Sequence, residues 1–514
     1  MTAVEALSVL AALAAAAVAG LRWLRVAQRE HYLAGSVTRF AWRWWVQWRP
    51  VNRLLGAVAL GGAIAAATAP GAALATALAV GAGPVGLSLR GHRPGPLVWT
   101  RRLRLLTTAW AVLHLAVVGV GVGLGGGPLV AAAACVLTPL LIDAALALTA
   151  PLEGRLARPY VERASRLLGS VKPAVVAVTG SYGKTSTKGY IAHLVGSSRA
   201  LVASPRSFNN RAGLARAVNE QLAPGTEVFV AEMGAYGPGE IAELCYWVRP
   251  RIGVITAIGP VHLERFGSEE RIVEAKAEIF TGVETAVLNV DDDRLEDVAR
   301  QIAAGGMRVL RCGSVRAGDL DVRVAREGRW LVVQAGTAEV ARVEGVDVPP
   351  TNVACAVAVA LELGVPAADI ARRLPTLPAV EHRLSRVRGG NGCAIIDDTY
   401  NSNPTGSRLA LATLGREAGN GGRAVVVTPG MVELGRRQAE ENAAFAAHAA
   451  EVATKLVVVG RTNRPALLAG VRAASRPVEL VLVEDRDQAA AWVREHLGPG
   501  DVVLYENDLP DHFA

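Results

Sequence analysis

The chain has 514 residues, room for three or more domains, with 51% hydrophobic and 19% charged residues and a net charge of +8. Its five cysteines (Cys135, Cys245, Cys312, Cys355, Cys393) are scattered with no C-x-x-C pair, which excludes a zinc ribbon or a disulfide framework. The excess positive charge flanks apolar segments, so it calls for anionic lipid and no nucleic acid partner is expected.

The first 150 residues are mostly Ala, Leu, Val and Gly and hold seven of the ten tryptophans. Five apolar spans can be drawn: Val4–Leu21, Leu54–Ala69, Gly71–Leu89, Leu105–Leu124 and Pro128–Ala150. The second and third are short and rich in Gly and Pro, which predicts a tight hairpin. Arginines crowd the segments after the first span (Arg22 to Arg53), the third (Arg90 to Arg104) and the fifth (Arg155 to Arg166). The turns at Pro70 and Gly125-Gly126-Gly127 carry no charge. Five spans with the N-terminus outside place every arginine-rich segment in the cytoplasm. The expectation is a multi-pass inner or plasma membrane domain over 1–150 with cytoplasmic catalytic domains. A cleaved signal peptide would carry positive charge ahead of its apolar run, whereas here the arginines follow it. Trp42, Trp44, Trp45 and Trp48, interleaved with Arg43 and Arg49, suit either a segment binding headgroup phosphates or simple interfacial anchoring.

Residues 151–171 interleave arginines with Leu152, Leu156, Val161, Leu167 and Leu168, predicting an amphipathic juxtamembrane linker. From 172 to 382 short apolar strands alternate with helical stretches, the signature of a parallel sheet covered by helices. The first strand, Val175–Thr179, runs into Gly180-Ser181-Tyr182-Gly183-Lys184-Thr185-Ser186 and then a helix. Such a turn offers backbone N–H groups and a helix N-terminus to a polyphosphate, a lysine to its terminal phosphates and a hydroxyl to Mg²⁺. The usual Walker A spacing needs a glycine where Val178 stands, so this is the shorter T-G-x-x-G-K-T-[ST] form. A patch from Met307 to Val348 predicts a small antiparallel insert. A second α/β unit over 383–514 carries Asp397-Asp398 and Thr428-Pro429-Gly430 after its first two strands, where ligands gather in such folds.

Further motifs follow in order. They are Ser207-Phe208-Asn209-Asn210-Arg211-Ala212-Gly213, Ala231-Glu232-Met233-Gly234 with Gly239-Glu240-Ile241, and His262 to Ser268 with Lys276 to Phe280. Asn289-Val290-Asp291-Asp292 and Asp397-Asp398-Thr399-Tyr400-Asn401-Ser402-Asn403-Pro404 complete the set. Together with the loop, this ordered set over roughly 172–435 resembles the Mur ligases, MurF-type in particular. The resemblance implies a central P-loop ATPase domain and a C-terminal Rossmann-like α/β domain. It implies an ATP-dependent, ADP-forming amide ligase acting through an acyl phosphate, with an amino acid or dipeptide as co-substrate. ATP would be held by Gly180, Ser181, Gly183, Lys184, Thr185, Ser186, Asn289, Arg383 and Asp398. Two Mg²⁺ ions would be served by Thr185, Glu232, His262 and a carbamylated Lys276. Lys184, Lys276, His262 and Glu232 would carry catalysis, and Asn209, Asn210, Asn401 and Asn403 would reach substrate, though Asn401 and Asn403 also suit turns. A solvated Lys276 and a satisfied turn histidine at 262 are the plain alternatives. Only five lysines stand among 54 basic residues, so Lys184 and Lys276 occupy places where arginine would not serve.

Two regions depart from the resemblance. Apolar spans occupy the place of the family's UDP-sugar domain, pointing to a lipid-linked acceptor at the membrane surface. The family's basic K-G-S-R-like C-terminal stretch is replaced by Tyr505-Glu506-Asn507-Asp508-Leu509-Pro510-Asp511, which suits a cationic incoming amine. Three readings stay open: a membrane-anchored ligase of peptidoglycan or another envelope polymer, the same chemistry on an unrelated poly-amino-acid, and a nucleotide-regulated membrane scaffold.

Overall fold

The computed structural model describes residues 1–89, 95–205, 208–316, 318–346, 348–378, 384–400, 402–418, 422–510 and 512–513. It divides into two compact units: Met1–Leu156 with Gly460–Thr462 and Leu509–Ala514, and Ala157–Val459 with Asn463–Asp508.

The first unit is helical. The 27-residue helix Ala3–Arg29 opens on a capping box in which Thr2 and Glu5 satisfy each other's backbone N–H groups. It and the 23-residue Arg101–Gly123 are the two described helices long and apolar enough to cross a membrane. Gly127–Val136 and Thr138–Val171 would make a third span only as a pair bent by 75°. Pro50–Ala65 and Pro70–Ala82 are apolar but short, against the ~20 residues a crossing helix needs. The five apolar stretches are therefore all helical, but five full spans do not form. The break after Ala82 has a local cause, since Pro84 disfavours helix in the residue before it. At Gly20 a Cβ would meet the Trp110 ring at 2.2 Å, so a glycine lets the two long helices touch.

Arginines expected to lie at the lipid surface are partly inside this unit. Arg22 donates to the carbonyls of Gly81 and Gly83 at 3.0 and 2.7 Å, and Arg25 is buried with Ser88 O at 3.3 Å. The chain's last residues pack here too: Trp44 donates to His512 O at 2.8 Å, and His512 Nε2 meets Glu30 at 3.0 Å. Arg90, Arg93 and Asp511 lie outside the described residues.

The span expected to end at Ala150 and the linker expected over 151–171 are one helix, Thr138–Val171. In the second unit its apolar stripe, Val161, Ala164 and Leu168, is buried in the same core as Trp247 and Phe229, while Ser165 donates to Trp247 O at 3.3 Å. Protein covers the later part of the expected apolar face, while Leu152 and Leu156 nearer its start are exposed.

The second unit holds two sheets. In the first, β1 (Ala174–Thr179) lies centrally, with β3 (Val228–Glu232) and β2 (Leu201–Ala203) on one side. On the other side come β4 (Ile252–Ile255), β5 (Thr285–Asn289) and β6 (Arg308–Gly313), all parallel. The antiparallel β7 (Val322–Glu327), β8 (Trp330–Ala335) and β9 (Ala338–Glu344) continue that same sheet through a β6–β7 pairing. The patch expected as an insert thus extends the main sheet. Near-continuous Val, Ile and Ala runs suit strands covered on both faces.

The second sheet runs β10 (Ser385–Arg388), β11 (Ala394–Asp398), β15 (Val502–Glu506), β12 (Ala424–Thr428), β13 (Lys455–Val459) and β14 (Glu479–Val483). Only β10 is antiparallel.

Candidate active site

The loop after β1 is shaped by contacts that leave no room for side chains. A Cβ on Gly180 (φ +148°) would meet Thr256 Oγ1 at 2.1 Å, and one on Gly183 (φ +78°) would meet Asn352 Oδ1 at 2.4 Å. Gly183 turns the chain directly into the helix Lys184–Val195, leaving that helix's first N–H groups at the loop. Ser181 is pinned from both ends: its N–H donates to Ala257 O at 2.8 Å and its hydroxyl to Gly259 O at 3.1 Å. Lys184 Nζ donates to Gly180 O at 2.7 Å and Ser181 O at 3.4 Å, bridging the loop it would serve. Ser186 is buried in the first turn of the helix.

Parallel pairing of β1 with β3 sets Val178 opposite Glu232, so the carboxylate ends its strand beside the loop. Thr185 donates to Glu232 Oε2 at 3.1 Å, Lys188 Nζ lies 2.9 Å from the same oxygen, and Asn209 Nδ2 reaches Oε1 at 3.4 Å. The Glu232 N–H is satisfied by Ser204 Oγ at 3.1 Å. Burial alone would push the Glu232 carboxyl up, but Lys188, Lys184 and the Lys188 and Thr185 hydrogen bonds outweigh it and hold the group below its ordinary value. It is therefore an ionised, buried carboxylate with a hydroxyl at its side, a hard-oxygen pair suited to Mg²⁺.

Lys276 ends the helix Glu269–Ala277 and is 4% exposed. Burial, with the Lys184 charge adding to it, pushes its ammonium well below the ordinary lysine range. His262 adopts φ +59°, pairs through Nδ1 with Glu433 of the C-terminal sheet's domain, and meets the Tyr236 ring edge-on at 4.9 Å. Arg265 lies over the same Tyr236 ring at 4.5 Å and 3.6 Å from Glu433. Among the described residues no three His, Cys, Asp or Glu side chains converge as a metal cluster. The structure thus brings Thr185 and Glu232 together and gives His262 a different partner.

The asparagines divide as well. Asn289 ends β5, donates to Thr256 O at 2.9 Å and accepts from Asp291 N at 3.2 Å. Asn210 caps the helix Arg211–Gln221 by accepting from Gly213 N at 2.9 Å, and Asn403 caps Pro404–Glu417 through Gly406 N at 2.8 Å. Asp398 ends β11 and accepts from Leu384 N at 3.2 Å. Beside it Glu506 is 1% exposed and bonded to the Ser402 hydroxyl, and burial with the Asp398 charge pushes its carboxyl well above the ordinary range. Ser207, Arg383 and Asn401 lie outside the described residues.

Two residues of this site escaped the sequence. Lys188 stands one helical turn after Lys184, and the scarcity of lysine that singled out Lys184 and Lys276 applied equally to it. Glu433, 171 residues from its histidine, gave no local signal.

The Mur ligase middle domain family matches residues 178–337, and the Mur ligase glutamate ligase domain family matches 382–505. A Mycobacterium tuberculosis protein named UDP-N-acetylmuramoyl-tripeptide–D-alanyl-D-alanine ligase is 35% identical over 358 residues, covering 64% of this chain and 69% of that one. The chain belongs to the Mur ligase family. The MurF ligase of Thermotoga maritima, solved in complex with ADP, is 26% identical with a TM-score of 0.58, over 68% of this chain and 80% of that one. MurF from Acinetobacter baumannii gives 25% and 0.58, over 68% and 76%. This Mur ligase is MurF-like, an ATP-dependent, ADP-forming acid–amino-acid ligase.

Proposed function

We propose that this Mur ligase is anchored in the membrane by its first unit. On this reading it joins an amino acid or dipeptide to a peptide carboxylate during peptidoglycan or related envelope-polymer synthesis. The observation that carries the reading is the buried Glu232, with the Thr185 hydroxyl at 3.1 Å and Lys188 at 2.9 Å, beside a glycine loop bridged by Lys184.

Transfer of the γ-phosphoryl group of ATP to the acceptor carboxylate would give an acyl phosphate, which the incoming amine attacks with release of phosphate. Gly180, Ser181, Gly183 and Ser186 would hold the phosphates and Lys184 would neutralise the charge on the group in flight. Asn289, Asp398 and Arg383 would contact the nucleotide. Glu232 and Thr185 fit a Mg²⁺, which would screen phosphate charge when bound. Lys276 fits a carbamate: burial disfavours its ammonium, and the neutral amine is the form that adds to CO₂. The pairing of His262 Nδ1 with Glu433 leaves Nε2 as the nitrogen that would meet a second metal, the carboxylate orienting the ring. Asn209, next to Glu232, is the asparagine best placed to meet substrate near the phosphoryl group.

The acidic Glu506, Asp508 and Asp511 stand where the family's C-terminal stretch is basic, which makes a cationic amine the second co-substrate class to test beside D-Ala-D-Ala. The test is ADP release by the full-length protein with either a UDP-linked or a lipid-linked peptide acceptor and a panel of neutral and cationic amines. Amine-dependent ADP formation supports the ligase reading. ATP turnover that no acceptor and no amine stimulates would sink it.

A further inference from the structure

The first unit contains an apolar cavity of about 510 Å³, walled by Trp23, Trp45, Leu60, Val80, Cys135 and Leu140. Two irregularities make it. The chain breaks at Leu137 between Gly127–Val136 and Thr138–Val171, with a 75° bend. Opposite, Arg43–Gln47 is a π-helical turn, a form that often marks functional sites because it re-aims side chains out of α-helical register. A second opening of about 700 Å³ shares Thr38, Trp42 and Leu140 with the cavity and is bordered by Arg39, Arg43 and Asp143.

The two ends differ in chemistry. Inside, the cavity is lined by hydrocarbon and indole. Arg53 lines this cavity, and Arg39 and Arg43 line the adjoining opening. The nearby negative charge is already engaged: Asp143 accepts from Thr38 N at 2.8 Å, Thr38 Oγ1 at 2.6 Å and Val37 N at 3.3 Å. Arg39 lies 3.6 Å from Glu30 and Arg43 sits over the Phe40 ring at 5.5 Å, so both guanidiniums are held near the mouth. An anionic group at the mouth and a hydrocarbon chain behind it complement this pattern. One undivided cavity of this size suits one chain better than the paired chains of a diacyl phospholipid.

We propose that this cavity binds one single-chain lipid bearing a phosphate, which would present the ligase's acceptor, with its phosphate against Arg39, Arg43 and Arg53. This rests on the membrane-anchored reading above. The test uses the full-length protein in phosphatidylcholine nanodiscs, titrated with a long-chain polyprenyl phosphate and read by native mass spectrometry, with soluble-acceptor ADP release measured separately. One polyprenyl phosphate per chain is expected. Binding should weaken about tenfold with Arg43→Glu, which reverses charge at the mouth, and with Leu140→Trp, which fills the cavity from a half-exposed position. Lys184→Ala should bind lipid normally. Equal retention of phosphatidylglycerol, or binding that both mouth and cavity variants leave intact, would overturn the proposal. Lipid bound at the cavity without any ADP formation would uphold the site while removing the ligase reading.

Discussion

Two buried charged groups, one in each unit, are held in opposite ways. In the first, Arg22 donates through Nη1 to the backbone carbonyls of Gly81 and Gly83. In the second, Glu232 is surrounded by side chains, Thr185, Lys188 and Asn209, that can exchange partners without unfolding anything. Charge tied to backbone holds a fold in place. Charge tied to movable side chains is available to phosphate and metal. Substitutions in the two units should therefore separate activity from stability.

The largest effect is expected at Lys184. Lys184→Ala removes the cation aimed at the transferring phosphoryl group and should lower ADP formation roughly a hundred- to a thousandfold. Its described hydrogen bonds go to carbonyls of its own loop, Gly180 O and Ser181 O, so thermal unfolding should move little. Near wild-type turnover would break the comparison at its strongest point. Lys276→Ala should also abolish turnover, with partial recovery on adding short carboxylates, since these can replace carbamate oxygens. A fully active Lys276→Arg protein would remove the lysine from the chemistry, because guanidinium forms no carbamate.

Arg22→Leu should do the reverse. It strands two carbonyls inside the first unit, at a cost of about 3 kcal/mol by the usual penalty for unsatisfied buried groups. The melting temperature in detergent should fall, while ADP formation per folded molecule on a soluble acceptor stays within about twofold. Loss of turnover in the folded fraction would mean that the first unit does more than anchor and present substrate.

Much of the catalytic unit was legible because its chemistry is local. The loop from Gly180 to Ser186 is a single turn, and the β-branched run before it fixes the strand. Glu232 and Thr185 could be put together only by resemblance, and Lys188 and Asn209 at the same carboxylate only by the folded chain. The first unit was legible in composition but not in length: hydropathy found five apolar stretches, yet whether a helix is long enough to cross a bilayer depends on where turns interrupt it, as at Gly83-Pro84. The stripe of Val161 and Leu168 shows the same limit, since periodicity reveals a face and never what covers it. Arg22 and Arg25 read as surface charge because their carbonyl partners lie about sixty residues away in sequence.

The smallest effects should come from the asparagines, where the comparison is sharpest within one motif. Asn210 and Asn403 both accept from the N–H three residues on, Gly213 and Gly406, and so begin their helices. Losing such a cap costs about 1 kcal/mol, whether or not substrate is near. Asn210→Ala and Asn403→Ala should each lower stability by that amount, and Asn→Asp at either position should restore it, because a carboxylate caps as well as an amide does. If capping is the whole role, kcat and KM stay level across both substitutions once protein is folded. If Asn403 also meets the incoming amine, Asn403→Asp restores the melting temperature but leaves KM for the amine changed. Asn209 is the internal control: its amide reaches Glu232 at 3.4 Å, so Asn209→Ala should alter turnover more than stability.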